Sequence, residues 1–135
     1  MIPAEEGPVQ RDMPTSAFGA ILADLERSCG GFLAAIFYDE EGETIDYHSR
    51  LDPFQTRLEA AHLGVIARSA SHRARWTGLG YLEWLEIRTD RRESLTVPIG
   101  DGLCVSLLLE AGNLGPGTVD LLLEAVARLR LEAGI

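Results

Sequence analysis

Short apolar runs and period-two alternation predict five strands along this chain. The predicted strands span residues 32–38, 43–49, 81–88, 93–99 and 103–109. The first and the last are almost wholly apolar, which is typical of central strands covered on both faces. The second alternates as an edge strand does, with Ile45 and Tyr47 pointing inward. Two tight turns are expected, at 39–42 and at 100–102, where glycines tolerate a positive φ.

Helical spacing of apolar residues predicts three helices beside these strands. Thr15 or Ser16 caps the first helix, and Asp52 caps the second, with Pro53 at its first position. We expect the helices to end near residues 29, 73 and 132. The order α-β-β-α-β-β-β-α predicts one α+β domain over residues 15–135, with a five-stranded antiparallel sheet and helices on both faces. Residues 1–14 show no periodicity, which indicates a flexible tail.

The second helix carries three rows of residues. The expected core row has apolar residues at i, i+4, i+7 and i+11, namely Phe54, Leu58, Ala61 and Val65. A second row consists of small residues, namely Ala60, Gly64, Ala67 and Ser71. Small residues let another backbone approach closely, either within the chain or from the same helix of a second subunit. A third row would expose Leu63 and Ile66 beside Ala70, which favours a protein-protein surface.

Trp84 gives the third predicted strand two possible roles. A large aromatic side chain on an edge strand belongs either to the core or to an interface. An unpaired strand edge must be blunted or paired, and pairing with its copy in a second subunit solves the problem. The predicted dimer or partner interface consists of Ala60, Leu63, Gly64, Ile66, Ala67, Ala70, Ser71 and Trp84.

Composition narrows the class of partner. The chain has 135 residues, 46% of them hydrophobic, which is sufficient for one domain with a core. The net charge of −9 disfavours nucleic acids and anionic membrane surfaces as partners. No apolar run approaches the ~20 residues of a membrane span, and no signal peptide is recognised. Cys29 and Cys104 are interpreted as buried thiols, so we expect a cytoplasmic protein.

No catalytic, metal or cofactor site is recognised in the sequence. His48, His62 and His72 have no partners at metal-binding spacing, and HExxH and CxxC motifs are absent. The glycine-rich loop at 112–117 lacks the Lys-Ser/Thr pair of a phosphate loop. The arginines of the second helix either face solvent or contact a partner; they are Arg57, Arg68, Arg73 and Arg75. We therefore predict a binding protein without cofactor or metal, and not an enzyme.

The order of elements and three motifs resemble the Roadblock/dynein light chain family, which has a profilin-like fold. The motifs are Gly30-Gly31 before the first strand, the D-x-x-G turn of residues 39–42, and the last hairpin, from Leu95 to Leu109. The resemblance covers about residues 15–133. The bacterial relatives that it implies are MglB-type activators of a polarity GTPase.

The resemblance implies a cytoplasmic dimer that regulates a small Ras-like GTPase. In such a dimer the sheet continues across the two-fold axis through the third strand, and the second helices lie near that axis. The GTPase docks on this surface and uses its own catalytic groups, which the dimer repositions. Three alternatives stay open, namely a Roadblock-type scaffold without effect on hydrolysis, a PAS-like small-molecule sensor, and pairing with a paralogue instead of a second copy.

Overall fold

An antiparallel sheet in the order β2-β1-β5-β4-β3 is the centre of the fold. The computed structural model describes residues 7–135. The strands are β1 (Phe32–Asp39), β2 (Thr44–Ser49), β3 (Leu85–Arg88), β4 (Arg92–Gly100) and β5 (Leu103–Glu110). The helices are α1 (Ala17–Ser28), α2 (Pro53–Trp76) and α3 (Pro116–Ala133). The predicted α+β fold and order of elements are therefore confirmed.

The two central strands, β1 and β5, bury apolar side chains on both faces of the sheet. On one face, α1 and α3 pack on a cluster that includes Leu22, Phe37 and Leu107. On the other face, α2 packs on Tyr38 and its neighbours. The predicted inward row of β4, namely Leu95, Val97 and Ile99, is buried on the α1–α3 face. Helices therefore cover both faces, as predicted.

The turn between β4 and β5 adopts the left-handed backbone that its sequence predicts. Gly100, Asp101 and Gly102 have φ angles of 103°, 54° and 74°. Asp101 is the only non-glycine residue within 7–135 with a positive φ, and aspartate tolerates this region better than most residues do. The turn joins β4 directly to β5.

A bulge between β1 and β2 overturns the prediction that Ile45 and Tyr47 share one face. The register of the strand pair shifts between Phe37 and Tyr38. Such a shift leaves one extra residue in β2, which moves the side chains before it to the other face. Tyr47 is therefore buried on the α2 face, whereas Ile45 packs on the α1–α3 face.

The third strand is shorter than predicted, because β3 covers only Leu85–Arg88. Extending its pairing with β4 by two residues would place Glu83 opposite Pro98, which has no N–H to donate. Residues 77–84 instead form an irregular connection with positive φ angles at Gly78 and Gly80. Trp84 therefore comes just before β3 and not within it.

Residues 7–14 lie along the outer edge of β2, and we call them the edge strap. The N–H of Gln10 donates to the carbonyl of Ser49 at 2.9 Å, and Arg11 donates to the carbonyl of Tyr47 at 2.6 Å. Arg11 also pairs with the fully buried carboxylate of Asp46. These contacts do not fit the flexible tail predicted for residues 1–14; residues 1–6 of that prediction lie outside the described part of the chain.

Tyr47 connects the edge strap to α2. Its hydroxyl donates to Asp12 at 2.6 Å, and Asp12 pairs with Arg57 of α2 at 2.6 Å and 2.8 Å. The guanidinium groups of Arg11 and Arg57 lie 5.4 Å and 5.6 Å from the centre of the Tyr47 ring, within range of a cation–π interaction. The strap is thus held by one aromatic ring and three charged groups.

Replacing Asp12 with asparagine tests how much the edge strap stabilises the fold. Hydrogen bonds from Arg57 and Tyr47 lower the pKa of Asp12 from 3.8 to about 2. A carboxylate with a depressed pKa in the folded state contributes stability that is full above about pH 4 and is lost as the pH falls through about 2. We expect D12N to have a lower urea midpoint than the native chain at pH 7 and the same midpoint near pH 2.

The control for this experiment is Asp120→Asn, which changes an exposed aspartate on α3. Its urea midpoint should follow that of the native chain at both pH values. Equal midpoints of D12N and the native chain at pH 7 would contradict a stabilising role of the strap.

Candidate protein-protein interface

The apolar row of α2 points away from the sheet. Phe54, Leu58 and Val65, which we predicted to be core residues, are 74%, 36% and 56% exposed. That prediction is wrong, and the small row takes their place: Ala60, Gly64 and Ala67 are buried against the sheet. The physical reason is the bulk of the opposing surface. Large side chains such as Tyr38 and Tyr47 fill this face of the sheet, and near Gly64 they leave room only for small residues on the helix.

α2 approaches the sheet and the β1–β2 turn closely at Gly64. A Cβ atom there would lie 3.2 Å from Cε2 of Tyr38 and 3.8 Å from the Cα of Gly42. A Cβ at Gly42 would in turn lie 3.1 Å from the Cα of Ala61. Tyr38 is fully buried, and its hydroxyl lies 2.7 Å from that of Ser106. Burial raises the pKa of Tyr38 to about 12, so the ring stays neutral at pH 7.

The eight predicted interface residues have two kinds of surroundings. Ala60, Leu63, Gly64 and Ala67 face the sheet of their own chain. The prediction that Leu63 is exposed is wrong, because only 6% of it is accessible. The other four are partly or largely accessible, namely Ile66, Ala70, Ser71 and Trp84. Their role in an interface stays a prediction.

Eight large apolar side chains are exposed between residues 54 and 84. They are Phe54, Leu58, Val65, Ile66, Trp76, Leu79, Tyr81 and Trp84, and we call them the α2–β3 surface. At 3.6 residues per turn, Phe54, Leu58, Val65 and Trp76 fall on a single line along α2. Single exposed apolar residues are common in proteins, but several on one line of a helix favour a surface for association. The sequence predicted this row, but it did not predict that the row faces solvent instead of the core.

β3 gives this surface an open sheet edge. Among residues 7–135, β3 pairs with β4 alone, whereas the opposite edge strand, β2, carries the edge strap. Ile87 packs on the α2 face of the sheet, and Glu86 and Arg88 line the α3 face. An edge with unpaired N–H and C=O groups is a template for another strand.

Trp84 lies between two shallow clefts on the α3 side of this edge. One cleft, of about 450 Å³, is lined by Glu86, Arg88, Pro116 and Val119 among others. The other, of about 430 Å³, is lined by Leu82, Val97, Leu123 and Arg130 among others. Trp84 is 38% exposed and lines both clefts, so its side chain is partly open to solvent.

A groove of about 560 Å³ lies between the C-terminal half of α2 and the β4–β5 turn. Its helix side carries Arg68, His72 and Arg75, and its opposite side carries Asp39, Glu40 and Asp101. Cys104 also lines the groove, and burial with the nearby Glu40 raises its pKa to about 11. The thiol is therefore protonated at pH 7 and is a poor nucleophile. The groove is suited to a polar ligand with charges of both signs.

Two arginines of α2 are used within the chain. Arg57 pairs with Asp12, and Arg68 donates to the carbonyl of Glu40. Within residues 7–135, no group of three His, Cys, Asp or Glu side chains is placed to hold a metal ion. No helix in the same residues combines the length and the apolar character that crossing a bilayer requires.

Comparison with solved structures assigns the fold. The chain superposes on a Roadblock/LC7 domain from Streptomyces avermitilis with a TM-score of 0.78 and 15% identity, over 86% of this chain and 97% of that one. It superposes on MglB of Myxococcus xanthus with a TM-score of 0.76 and 10% identity, over 87% and 96%. This chain has the Roadblock fold. A third structure, an MglB with a tetrameric arrangement, matches with a TM-score of 0.74 and 13% identity, over 95% and 94%.

The Roadblock fold confirms the architecture that the motifs implied. At 10–15% identity these similarities establish the fold alone. No known family profile and no curated protein sequence matches the chain. In this Roadblock fold, the glycine of the D-x-x-G turn is explained by the approach of α2, because Gly42 has a φ of 84° and lies under Ala61.

Replacing Gly64 with leucine tests the orientation of α2. The larger side chain would collide with Tyr38 and the turn at Gly42, so we expect a loss of about 1–3 kcal/mol in the free energy of unfolding. The control is Gly117→Leu in the first turn of α3, where an added Cβ would meet no atom within 4 Å, so this variant should not lower the free energy of unfolding. Urea unfolding followed by circular dichroism measures both. A fully stable G64L monomer would instead place Gly64 at a contact between subunits.

Proposed function

We propose that this chain is a cytoplasmic, dimeric regulator or adaptor of a small Ras-like GTPase. The observations that carry the proposal are the exposed apolar side chains of the α2–β3 surface and the open edge of β3, on a Roadblock fold. A surface of this kind fits a macromolecule better than a small ligand, because it is long, convex along the helix and apolar.

A second copy of the chain is the first partner of this surface. Pairing of β3 with the β3 of another copy closes both open edges at once. It also brings the two α2 helices together, so that the rows containing Leu58 and Val65 cover each other. The MglB structure with a tetrameric arrangement supports association between subunits of this fold.

The GTPase is the second partner, and its class follows from the resemblance to the Roadblock family. Regulation would act by positioning the GTPase's own catalytic groups. Arg57 and Arg68 are engaged within their own chain, which favours this mode over an arginine inserted into the nucleotide site. A Roadblock-type scaffold would bind the GTPase in the same way and leave its hydrolysis rate unchanged.

A small-molecule sensor is the second candidate function, and the groove beside the β4–β5 turn favours it. Arg75, Glu40 and Asp101 would contact a ligand with charges of both signs there. A sensor predicts that a metabolite raises the melting temperature of the chain. The dimeric regulator predicts stabilisation by the protein partner instead.

Two aspartates on the exposed row of α2 should break the dimer. The change is Leu58→Asp with Val65→Asp, which removes about 1.5–3 kcal/mol of burial per side chain and adds charges to the contact. We expect the native chain to be a dimer at tens of micromolar and the double variant to dissociate at least tenfold more readily, as measured by light scattering after size exclusion. The control, Leu131→Asp, changes a residue on α3 that is 83% exposed.

A pull-down tests the GTPase. The native chain, the double variant and the control are immobilised, and lysate of the source organism is applied with GDP or with a non-hydrolysable GTP analogue. We expect a Ras-like GTPase to be retained by the native chain and the control with the GTP analogue, and to be lost with the double variant. A native chain that is monomeric at tens of micromolar, or that retains no GTPase in either nucleotide state, would overturn the proposal. A hydrolysis assay with the retained GTPase then distinguishes activator from scaffold.

A further inference from the structure

Symmetry restricts the ways in which β3 can pair with its own copy. In a symmetric antiparallel pair, residue i lies opposite residue j and residue j lies opposite residue i, so one residue lies on the two-fold axis. Opposite residues also point to the same face of the sheet. β3 has four residues, so the axis passes through Leu85, Glu86, Ile87 or Arg88.

The charged residues on the α3 face of β3 are Glu86 and Arg88. Each position of the axis places different residues opposite them. An axis at Glu86 sets two glutamates opposite each other, and an axis at Arg88 does the same with two arginines. Like charges placed directly opposite destabilise a strand pair. An axis at Leu85 sets Glu86 opposite Trp84, which makes no ion pair. Among these four positions, only an axis at Ile87 places Glu86 opposite an arginine, namely Arg88 of the other copy. Because the two-fold axis repeats this contact, the dimer contains two such pairs.

We propose that two copies of this chain pair through β3 with Ile87 on the two-fold axis, so that Glu86 of each copy lies opposite Arg88 of the other. This inference rests on the dimer of the proposed function. It adds the register, and it identifies the two residues that favour a second copy over a paralogue with other charges at these positions.

The surroundings of these residues fit the proposed register. The side chains of Glu86 and Arg88 are 36% and 52% exposed. Arg88 lies 3.9 Å from Glu86 and 3.4 Å from Glu93 of β4. Arg88 and Glu86 line the same cleft on the α3 face, which is the face on which the Glu86 of the other copy would lie. Ile87 is half-buried on the α2 face, and on the axis it would meet its own copy in an apolar cross-strand pair.

The same register gives the exposed Trp84 a neighbour. Counting back from the axis, Trp84 lies opposite Asp90 of the other copy and diagonal to the partner's Arg88. A diagonal neighbour is within reach of an aromatic side chain. The cleft lined by Arg88 and Pro116 continues from that point, so the indole of one copy would cover the cleft of the other.

An exchange of charges tests the pairing. In E86R alone and in R88E alone, every cross-strand pair joins like charges, so we expect each variant to dissociate at least tenfold more readily than the native dimer. An equimolar mixture of the two variants restores both opposite-charge pairs and should form a heterodimer of near-native affinity. Analytical ultracentrifugation measures all four samples. An E86R homodimer as tight as the native one, or a mixture no tighter than its components, would overturn the register.

Folding of the R88E variant needs its own control, because Glu93 is nearly buried and pairs with Arg88. Glu93 also accepts the N–H groups of Asn113 and Leu114 at 2.9 Å and 2.8 Å. Thermal unfolding of R88E should remain cooperative. A second test uses single cysteine variants of β3, which report the register by disulfide cross-linking. This test does not depend on R88E and therefore remains valid if R88E fails to fold.

The cysteine series places thiols at successive residues of β3. Opposite residues have Cα atoms about 4.5–5.5 Å apart, which a disulfide spans, so I87C should cross-link to its own copy under mild oxidation. In the control L85C, the two thiols would lie about 13 Å apart along the strands and should not cross-link. Cys29 and Cys104 react slowly because burial raises their pKa values, and the native chain under the same oxidant shows their background.

The outcomes separate the register from the dimer. Cross-linking of L85C or E86C instead of I87C would overturn the register and leave the dimer through β3 in place. A native chain that sediments as a monomer at tens of micromolar would overturn the dimer itself, and with it the proposed function.

Discussion

The close approach of α2 to Tyr38 and Gly42 determines which side of that helix meets solvent. The ring of Tyr38 is fully buried, and the separations at Gly64 leave no space for a larger residue. α2 must therefore turn its small row inward, and its apolar row points outward as a consequence. The interface that we propose thus originates in a steric constraint inside the chain. The helix is not exposed for lack of a core, since its inner face is buried between Thr56 and Ala67.

Polar contacts between α2 and the sheet reinforce the same orientation. Thr56 is fully buried, and its hydroxyl lies 2.7 Å from that of Ser49. The hydroxyl of Ser106 lies 2.7 Å both from Tyr38 and from Thr96, so a chain of three hydroxyl groups runs beneath the helix. Buried hydroxyls without partners would be destabilising, and rotation of α2 about its axis would break the pair that Thr56 forms.

Local sequence signals predicted the architecture well because each had a local cause. Asp52 accepts the N–H of Gln55 at 2.9 Å and caps α2 as predicted, and the glycines at 100 and 102 adopt the positive φ that their turn requires. The orientation of α2 was not predictable in the same way. Apolar spacing identifies a row, but the size of the residues that oppose it comes from strands distant in sequence. Phe54 and Val65 were therefore assigned to the core, although no space remains for them there.

The other differences from prediction have the same kind of origin. A one-residue bulge places Ile45 and Tyr47 on opposite faces of the sheet, and no residue type in β2 predicts this bulge. The position of the edge strap depends on the ion pair between Asp12 and Arg57, which lies 45 residues later in the chain. Trp84 was recognised as unusual from its type alone, whereas its position just before β3 depends on Pro98 in the next strand. Contacts between residues distant in sequence thus determine the side-chain orientations and strand ends that local patterns do not predict.

The unequal ends of the sheet have a consequence for how far assembly proceeds. Strand-to-strand association needs a free edge on both participants, and a sheet with two free edges would add copies without limit. Here residues 7–14 occupy part of the edge at β2, over Tyr47 and Ser49, whereas no strand within residues 7–135 pairs with the outer edge of β3. In the dimer that we propose, association through the sheet would therefore end after a single step. Growth into fibres would need the β2 edge as well, so a segment far from the proposed interface would limit how many copies assemble.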